Sequence, residues 1–195
     1  PCLSTVEFPP MANRPRVTIL VGSLRAGSVN RAAAEVAHEY LFDKADVCWL
    51  DPRSIPFFDE DVEALGDPAP VDELKQSVRQ SQMLLIFTPE YNLGVPAVTK
   101  NTLDWLSRPF GNGSLIDRVV GIAAVGPSSR GGENAREDLL RICGALTERL
   151  FPKTLGIPGV FQLEDGRLPA KDERAIRVWL DQIFCFNRRW LPTTN

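Results

Sequence analysis

Arg16-Val17-Thr18-Ile19-Leu20-Val21-Gly22-Ser23-Leu24-Arg25-Ala26-Gly27-Ser28-Val29-Asn30 is the stretch on which the reading of the fold turns. Its first seven residues form a short β-branched run closed by glycine, the pattern of a buried strand. Beyond it, Val29, Ala32, Ala33, Val36, Ala37, Tyr40 and Leu41 recur at the spacing of one helix face. A strand therefore runs through a Gly/Ser loop into the start of a helix.

The same alternation continues outward. Asp46 to Leu50 reads as a second strand, and Pro52, Pro56, Pro68 and Pro70 mark a long loop after it. Residues 71–80 read as a short helix. Met83-Leu84-Leu85-Ile86-Phe87-Thr88 is continuously apolar up to its last residue, as in a central strand covered on both faces. A helix follows over Val95 to Leu106, then a buried strand over Val119 to Val125. Ala135, Leu139, Ile142, Cys143, Leu146 and Leu150 stripe a further helix. Residues 153–163 read as extended, although Pro158 interrupts them. Ala170 to Trp190 forms a closing helix whose aromatics, Trp179, Phe184, Phe186 and Trp190, are expected in the core. Five βα units predict a parallel sheet with helices on both faces. Residues 15–195 are expected to form a single domain, and residues 1–14, with three prolines and no periodicity, a mobile extension. Ligands of such sheets sit outside the carboxyl ends of the strands, where the strand order reverses. The loops after strands 1, 3 and 4 are therefore the informative ones.

Composition narrows the function. Hydrophobic residues make up 44% and charged residues 24% of the 195, ordinary values for a globular protein, and the net charge is -3. No basic stripe suggests a nucleic-acid partner. No apolar stretch has the length of a membrane span, and no basic start with an apolar run suggests a secretory signal. Cys2, Cys48, Cys143 and Cys185 are widely spaced, which gives zinc and iron–sulfur frameworks no support and fits reduced thiols in a cytoplasmic protein. His38, the single histidine, is expected on the surface of the first helix. Asp59-Glu60-Asp61 and Glu63 read as a solvated acidic loop rather than a metal site.

The first loop carries the clearest chemistry. A helix N-terminus offers unpaired N–H groups and the positive end of the helix dipole, so it attracts phosphate. Ser23 and Ser28 add hydroxyls, and Arg25 adds a fork of charged donors. Gly22 and Gly27 have Walker A spacing, but Ser28-Val29 stands where that loop has lysine and a hydroxyl residue, which argues against triphosphate hydrolysis. The dinucleotide-binding G-x-G-x-x-G is absent too. A phosphate monoester fits what remains. A purely structural role also fits, with Ser28 capping the helix and Gly27 making the turn. In the third loop, Thr88-Pro89-Glu90-Tyr91-Asn92-Leu93-Gly94-Val95-Pro96, Tyr91 can lie along a flat ring such as isoalloxazine, and backbone near Asn92 can donate to its polar edge. The same loop also reads as a plain proline-rich turn.

Taken together, Gly22-Ser23-Leu24-Arg25 with Ser28 and Asn30, Pro89-Glu90-Tyr91-Asn92, Pro96, and Lys100-Asn101-x-x-Asp104-Trp105 resemble the NADPH-dependent FMN reductase family. That group includes quinone, azo-dye and chromate reductases. Ile55-Pro56-Phe57-Phe58-Asp59-Glu60-Asp61 resembles the family's segment after strand 2. The resemblance covers roughly residues 16–190. It implies a flavodoxin-like three-layer sandwich with a five-stranded parallel sheet of order 2-1-3-4-5. It implies that Ser23, Arg25, Ser28 and Asn30, with Val29 among them, hold the FMN phosphate. Pro89, Glu90, Tyr91 and Asn92 would border the isoalloxazine, and Ser128, Gly131 and Gly132 would close its other side. Pro127-Ser128-Ser129-Arg130 departs from the family pattern, and Arg130 is open to a contact with the nicotinamide dinucleotide instead. Trp105 is open to either core or interface, and Arg108 to a neighbouring subunit's site. The expected function is a hydride relay from NADPH or NADH to FMN, then to a quinone, azo compound, chromate or free flavin, with ping-pong kinetics. No catalytic acid, base or nucleophile is required, because the cofactor carries the chemistry. A homodimer or homotetramer is expected. The rival reading is a non-enzymatic, flavodoxin-type electron carrier, which the mild acidity favours little.

Overall fold

The computed structural model describes residues 14–190. The expected N-terminal extension lies outside them except for Arg14, as does Cys2. Five parallel strands, β1 (Arg16–Val21), β2 (Asp46–Leu50), β3 (Met83–Thr88), β4 (Val119–Val125) and β5 (Leu155–Ile157), form one sheet of order β2-β1-β3-β4-β5. This is the flavodoxin order. The chain reverses direction across the sheet between β1 and β3, which pair from Val17 with Met83 to Val21 with Phe87.

Side-chain alternation in the central strands builds the two covered faces. Val17, Ile19, Val21, Met83, Leu85 and Phe87 point to one side, and Leu20, Leu84 and Ile86 to the other. Helices α1 (Val29–Leu41) and α6 (Ala170–Asn187) cover the first side, with Ala33, Ala37, Ile176, Leu180 and Ile183 fully buried. Helices α3 (Ala69–Arg79), α4 (Ala97–Leu106) and α5 (Glu133–Gly144) cover the second through residues such as Val78, Trp105 and Leu139. Each of the larger aliphatic side chains among these contributes about 1.5–3 kcal/mol by leaving water. Trp105 is therefore core, and its indole N–H donates to the Pro56 carbonyl at 2.8 Å.

Several expected boundaries move for local reasons. A short helix, α2 (Glu60–Ala64), interrupts the loop after β2, because the Asp59 side chain accepts the Asp61 N–H at 2.9 Å and acidic residues fill the first turn. Pro96 stands before α4 rather than inside it. Helix α5 stops at Gly144, so Leu146 and Leu150 pack from beyond its end. Only three residues of 153–163 pair as β5, since Pro158 has no N–H to offer a ladder. Helix α6 ends at Asn187, and a single 3-10 turn leaves Trp190 exposed rather than in the core. His38 is half-buried, edge-on to Trp49 with ring centroids 5.6 Å apart. Glu63 is not in a solvated acidic loop but pairs with Arg108 at 2.7 Å, which commits that guanidinium within its own chain. Among the described residues no cluster of His, Cys, Asp and Glu could hold a metal, and no helix is long and apolar enough to cross a membrane.

Burial pushes the Cys143 thiol up to about 12. Because the thiolate is the reactive form, Cys143 is expected to resist alkylation in the native protein at pH 8 and to react on unfolding. Peptide mass mapping after brief iodoacetamide treatment checks this, and rapid native labelling of Cys143 would contradict it.

Candidate functional site

A cavity of about 370 Å³ opens at the carboxyl ends of β1, β3 and β4, where the strand order reverses. Ser23, Arg25, Ser28, Val29 and Asn30 line one side, Pro89, Glu90 and Tyr91 another, and Gly126, Pro127, Ser128 and Gly132 a third. Val160 and Phe161, from the segment after β5, complete it. The loops singled out in the sequence thus meet. Phe161 is 77% exposed, and nothing in its local sequence marked it.

Each loop has a local cause. Ser28 caps α1, its hydroxyl accepting the Arg31 N–H at 3.3 Å. The N–H groups of a first helical turn lack intrahelical acceptors, and no acidic residue stands in this one to repel an anion. Arg25 is exposed, and its side chain has no hydrogen bond or ion pair among the described residues. Capping by Ser28 therefore leaves the remaining donors of the loop open to an anion.

Asn30 behaves differently from its expected role. Its side chain is buried, and its amide donates to the Val125 carbonyl at 2.8 Å while accepting the Val125 N–H at 2.9 Å. The amide ties the start of α1 to the end of β4, which leaves the backbone N–H of Asn30, not its side chain, open to a ligand. Glu90 is also structural in part. Its carboxylate accepts the N–H groups of Asn134 at 2.9 Å and Ala135 at 3.3 Å, and the Asn134 amide at 3.1 Å. It caps α5 from the loop after β3, a service that Gly132, standing at the N-cap, has no side chain to perform.

Tyr91 is half exposed on the cavity wall. Its backbone exchanges hydrogen bonds with Gly94, at 3.1 and 3.0 Å, around a two-residue turn in which Asn92 and Leu93 both have positive φ. Asn92 sits at the exposed tip, away from the cavity lining. Gly131 also stays off the lining, because it packs on β5: an added Cβ would lie 2.8 Å from the Gly156 carbonyl carbon. Gly126, by contrast, lines the cavity with nothing within 4 Å of where a Cβ would stand, so a side chain there would fill ligand space. Arg130 bonds Glu133 at 2.6 Å, and that carboxylate holds its guanidinium above the usual arginine range.

An unpartnered arginine, a capped helix start free of acid, and a glycine-lined space ending at an exposed tyrosine fit a phosphate ester carrying a flat ring. The profile of the family described as NADPH-dependent FMN reductase matches residues 15–161. A quinone reductase of Pseudomonas putida is 33% identical over 173 residues, covering 85% of this chain and 91% of that protein. A quinone reductase of Escherichia coli K12 is 34% identical over 154 residues, covering 78% and 81%. Among solved structures, FerB, a flavoenzyme NAD(P)H:(acceptor) oxidoreductase from Paracoccus denitrificans, shares the fold with a TM-score of 0.78 at 23% identity, over 90% of this chain and 98% of that one.

Proposed function

This chain belongs to the NADPH-dependent FMN reductase family, and we propose that it passes hydride from a reduced nicotinamide through FMN to a quinone. The observation that carries the reading is the cleft into which the β1, β3 and β4 loops converge, with Arg25 left without a partner among the described residues. When bound, FMN supplies the redox chemistry, taking hydride from one substrate and giving electrons to the next. Arg25, the hydroxyls of Ser23 and Ser28, and the N–H groups of Val29 and Asn30 hold the phosphate. Pro89 and Tyr91 border the ring on one side, and Gly126, Ser128 and Gly132 on the other. Glu90 sets the spacing between those two walls by capping α5. Asn92 and Gly131 shape the loops from outside the cleft.

A half-exposed Tyr91 leaves the cleft open on one side, where donor and acceptor would take turns. Ping-pong kinetics follow, with parallel double-reciprocal lines for NADPH against benzoquinone. Intersecting lines would overturn this. Azo compounds, chromate and free flavin are further acceptors to test in the same assay. Absence of NAD(P)H oxidation by the FMN-loaded protein would favour the electron-carrier reading.

The free thiols of Cys48 and Cys143 fit a reducing, cytoplasmic compartment. Association as a dimer or tetramer is supported by Phe57, Leu65 and Phe110, each at least 79% exposed. They flank segments joined by the Glu63–Arg108 ion pair and by the edge contact of Phe58 with Trp105. Light scattering that gives a monomer at micromolar concentration would end that proposal.

A further inference from the structure

A second cavity, of about 490 Å³, lies across the Ser23–Ala26 loop from the flavin cleft, and the two share Ser23 and Arg25. It opens between the carboxyl ends of β1 and β2, and it is lined by three arginines, Arg25, Arg31 and Arg53, together with Trp49. The carboxylates on its wall, Glu35 and Asp51, offset two of the three positive charges. Arg31 bonds Glu35 at 3.1 Å, and its guanidinium lies over the Trp49 ring, 4.2 Å from the centroid. Arg53 bonds Asp51 at 3.2 Å and the Leu24 carbonyl at 3.1 Å.

These contacts orient the guanidinium groups without consuming them. Both ion pairs are about half exposed, with Arg31 and Glu35 at 46% and 54% and Arg53 and Asp51 at 55% and 64%. Such pairs are weak in water. Each guanidinium has five N–H donors, and most remain uncommitted. Guanidinium forks lining one cavity match a phosphate dianion, and the Trp49 indole beside Arg31 adds an aromatic surface for a flat ring.

We propose that this cavity takes the phosphorylated adenosine end of the dinucleotide, with Arg31 and Arg53 reading the 2′-phosphate that separates NADPH from NADH. The proposal rests on the reductase reading above. The two cavities share Ser23 and Arg25, so a dinucleotide lying in both would run past Arg25, which would offset phosphate charge on both sides of the wall.

The test uses the FMN-loaded protein and titrates adenosine 2′,5′-bisphosphate by calorimetry, with adenosine 5′-monophosphate and inorganic phosphate as comparisons. The bisphosphate is expected to bind about tenfold tighter than either, the size of one charge-assisted contact. Arg53→Ala should weaken it by about tenfold, on the same ground. Asp51→Asn should tighten it, because asparagine can still accept the Arg53 N–H while releasing the guanidinium. Opposite signs in these two variants would not arise from a general loss of structure. In turnover, Arg53→Ala should lower the NADPH-to-NADH ratio of kcat/KM. Equal binding of the three probes, or equal affinity in wild type and Arg53→Ala, would overturn the inference. If neither dinucleotide bleaches the bound flavin, the reductase reading itself fails. If both do, and Arg53→Ala leaves their ratio unchanged, only this inference fails.

Discussion

Arg25→Ala is expected to weaken FMN binding by about 1.5–3 kcal/mol, a loss of roughly tenfold to a little over a hundredfold. The size follows from what the residue lacks. Its guanidinium is exposed and has no partner among the described residues, so in the free protein its removal breaks nothing. All of the loss should therefore appear in the complex, as the missing charge-assisted bonds to the phosphate. The melting temperature of the flavin-free protein should stay where it is. Arg25→Lys should recover the charge but not the fork, and so only part of the affinity. Titration of the flavin-free protein followed by FMN fluorescence measures this directly, and unchanged affinity would remove Arg25 from the site.

Asn30→Ala should do the reverse, damaging the fold first and the site through it. The amide makes two buried bonds to Val125, and alanine leaves that residue's N–H and carbonyl unpaired. Each stranded group costs about 1–3 kcal/mol, so the total is roughly 2–6 kcal/mol. For a chain of this length that corresponds to a fall of about 4–24 °C in melting temperature. FMN affinity should fall as well, because Val125 leads directly into Gly126 and Pro127 on the cleft wall. Asn30→Asp can accept the Val125 N–H but turns an oxygen toward its carbonyl, so it should be no better than intermediate. Thermal unfolding by circular dichroism of the flavin-free variants decides the matter. An unchanged melting temperature in Asn30→Ala, with lost FMN affinity, would return Asn30 to the role of a direct phosphate ligand.

The contrast between Arg25 and Asn30 shows how far local sequence reaches. Both stand within the nine residues from Gly22 to Asn30, and both are polar residues around one helix start. Only burial separates them. Arg25 faces solvent and the cleft, while Asn30 is inside, opposite a strand end 95 residues further along the chain. Glu90 repeats the case, with a carboxylate beside the cleft whose bonds go to the start of α5. Val160 and Phe161 are the converse, ordinary apolar residues that reach the cleft because β5 ends beside β4.

The alternation of apolar runs and helical stripes, by itself, determined the βα order, the depth of β3 and the loops that carry chemistry. Those features rest on period, burial and turn propensity, which act between near neighbours. The motif resemblance added the sheet order and the cofactor. Tertiary structure alone decided which polar groups of those loops remain free for a ligand and which satisfy backbone from distant strands and helices. A side chain's hydrogen bonds are set by what packs opposite it, and in this sheet the opposite partner comes from the far end of the chain.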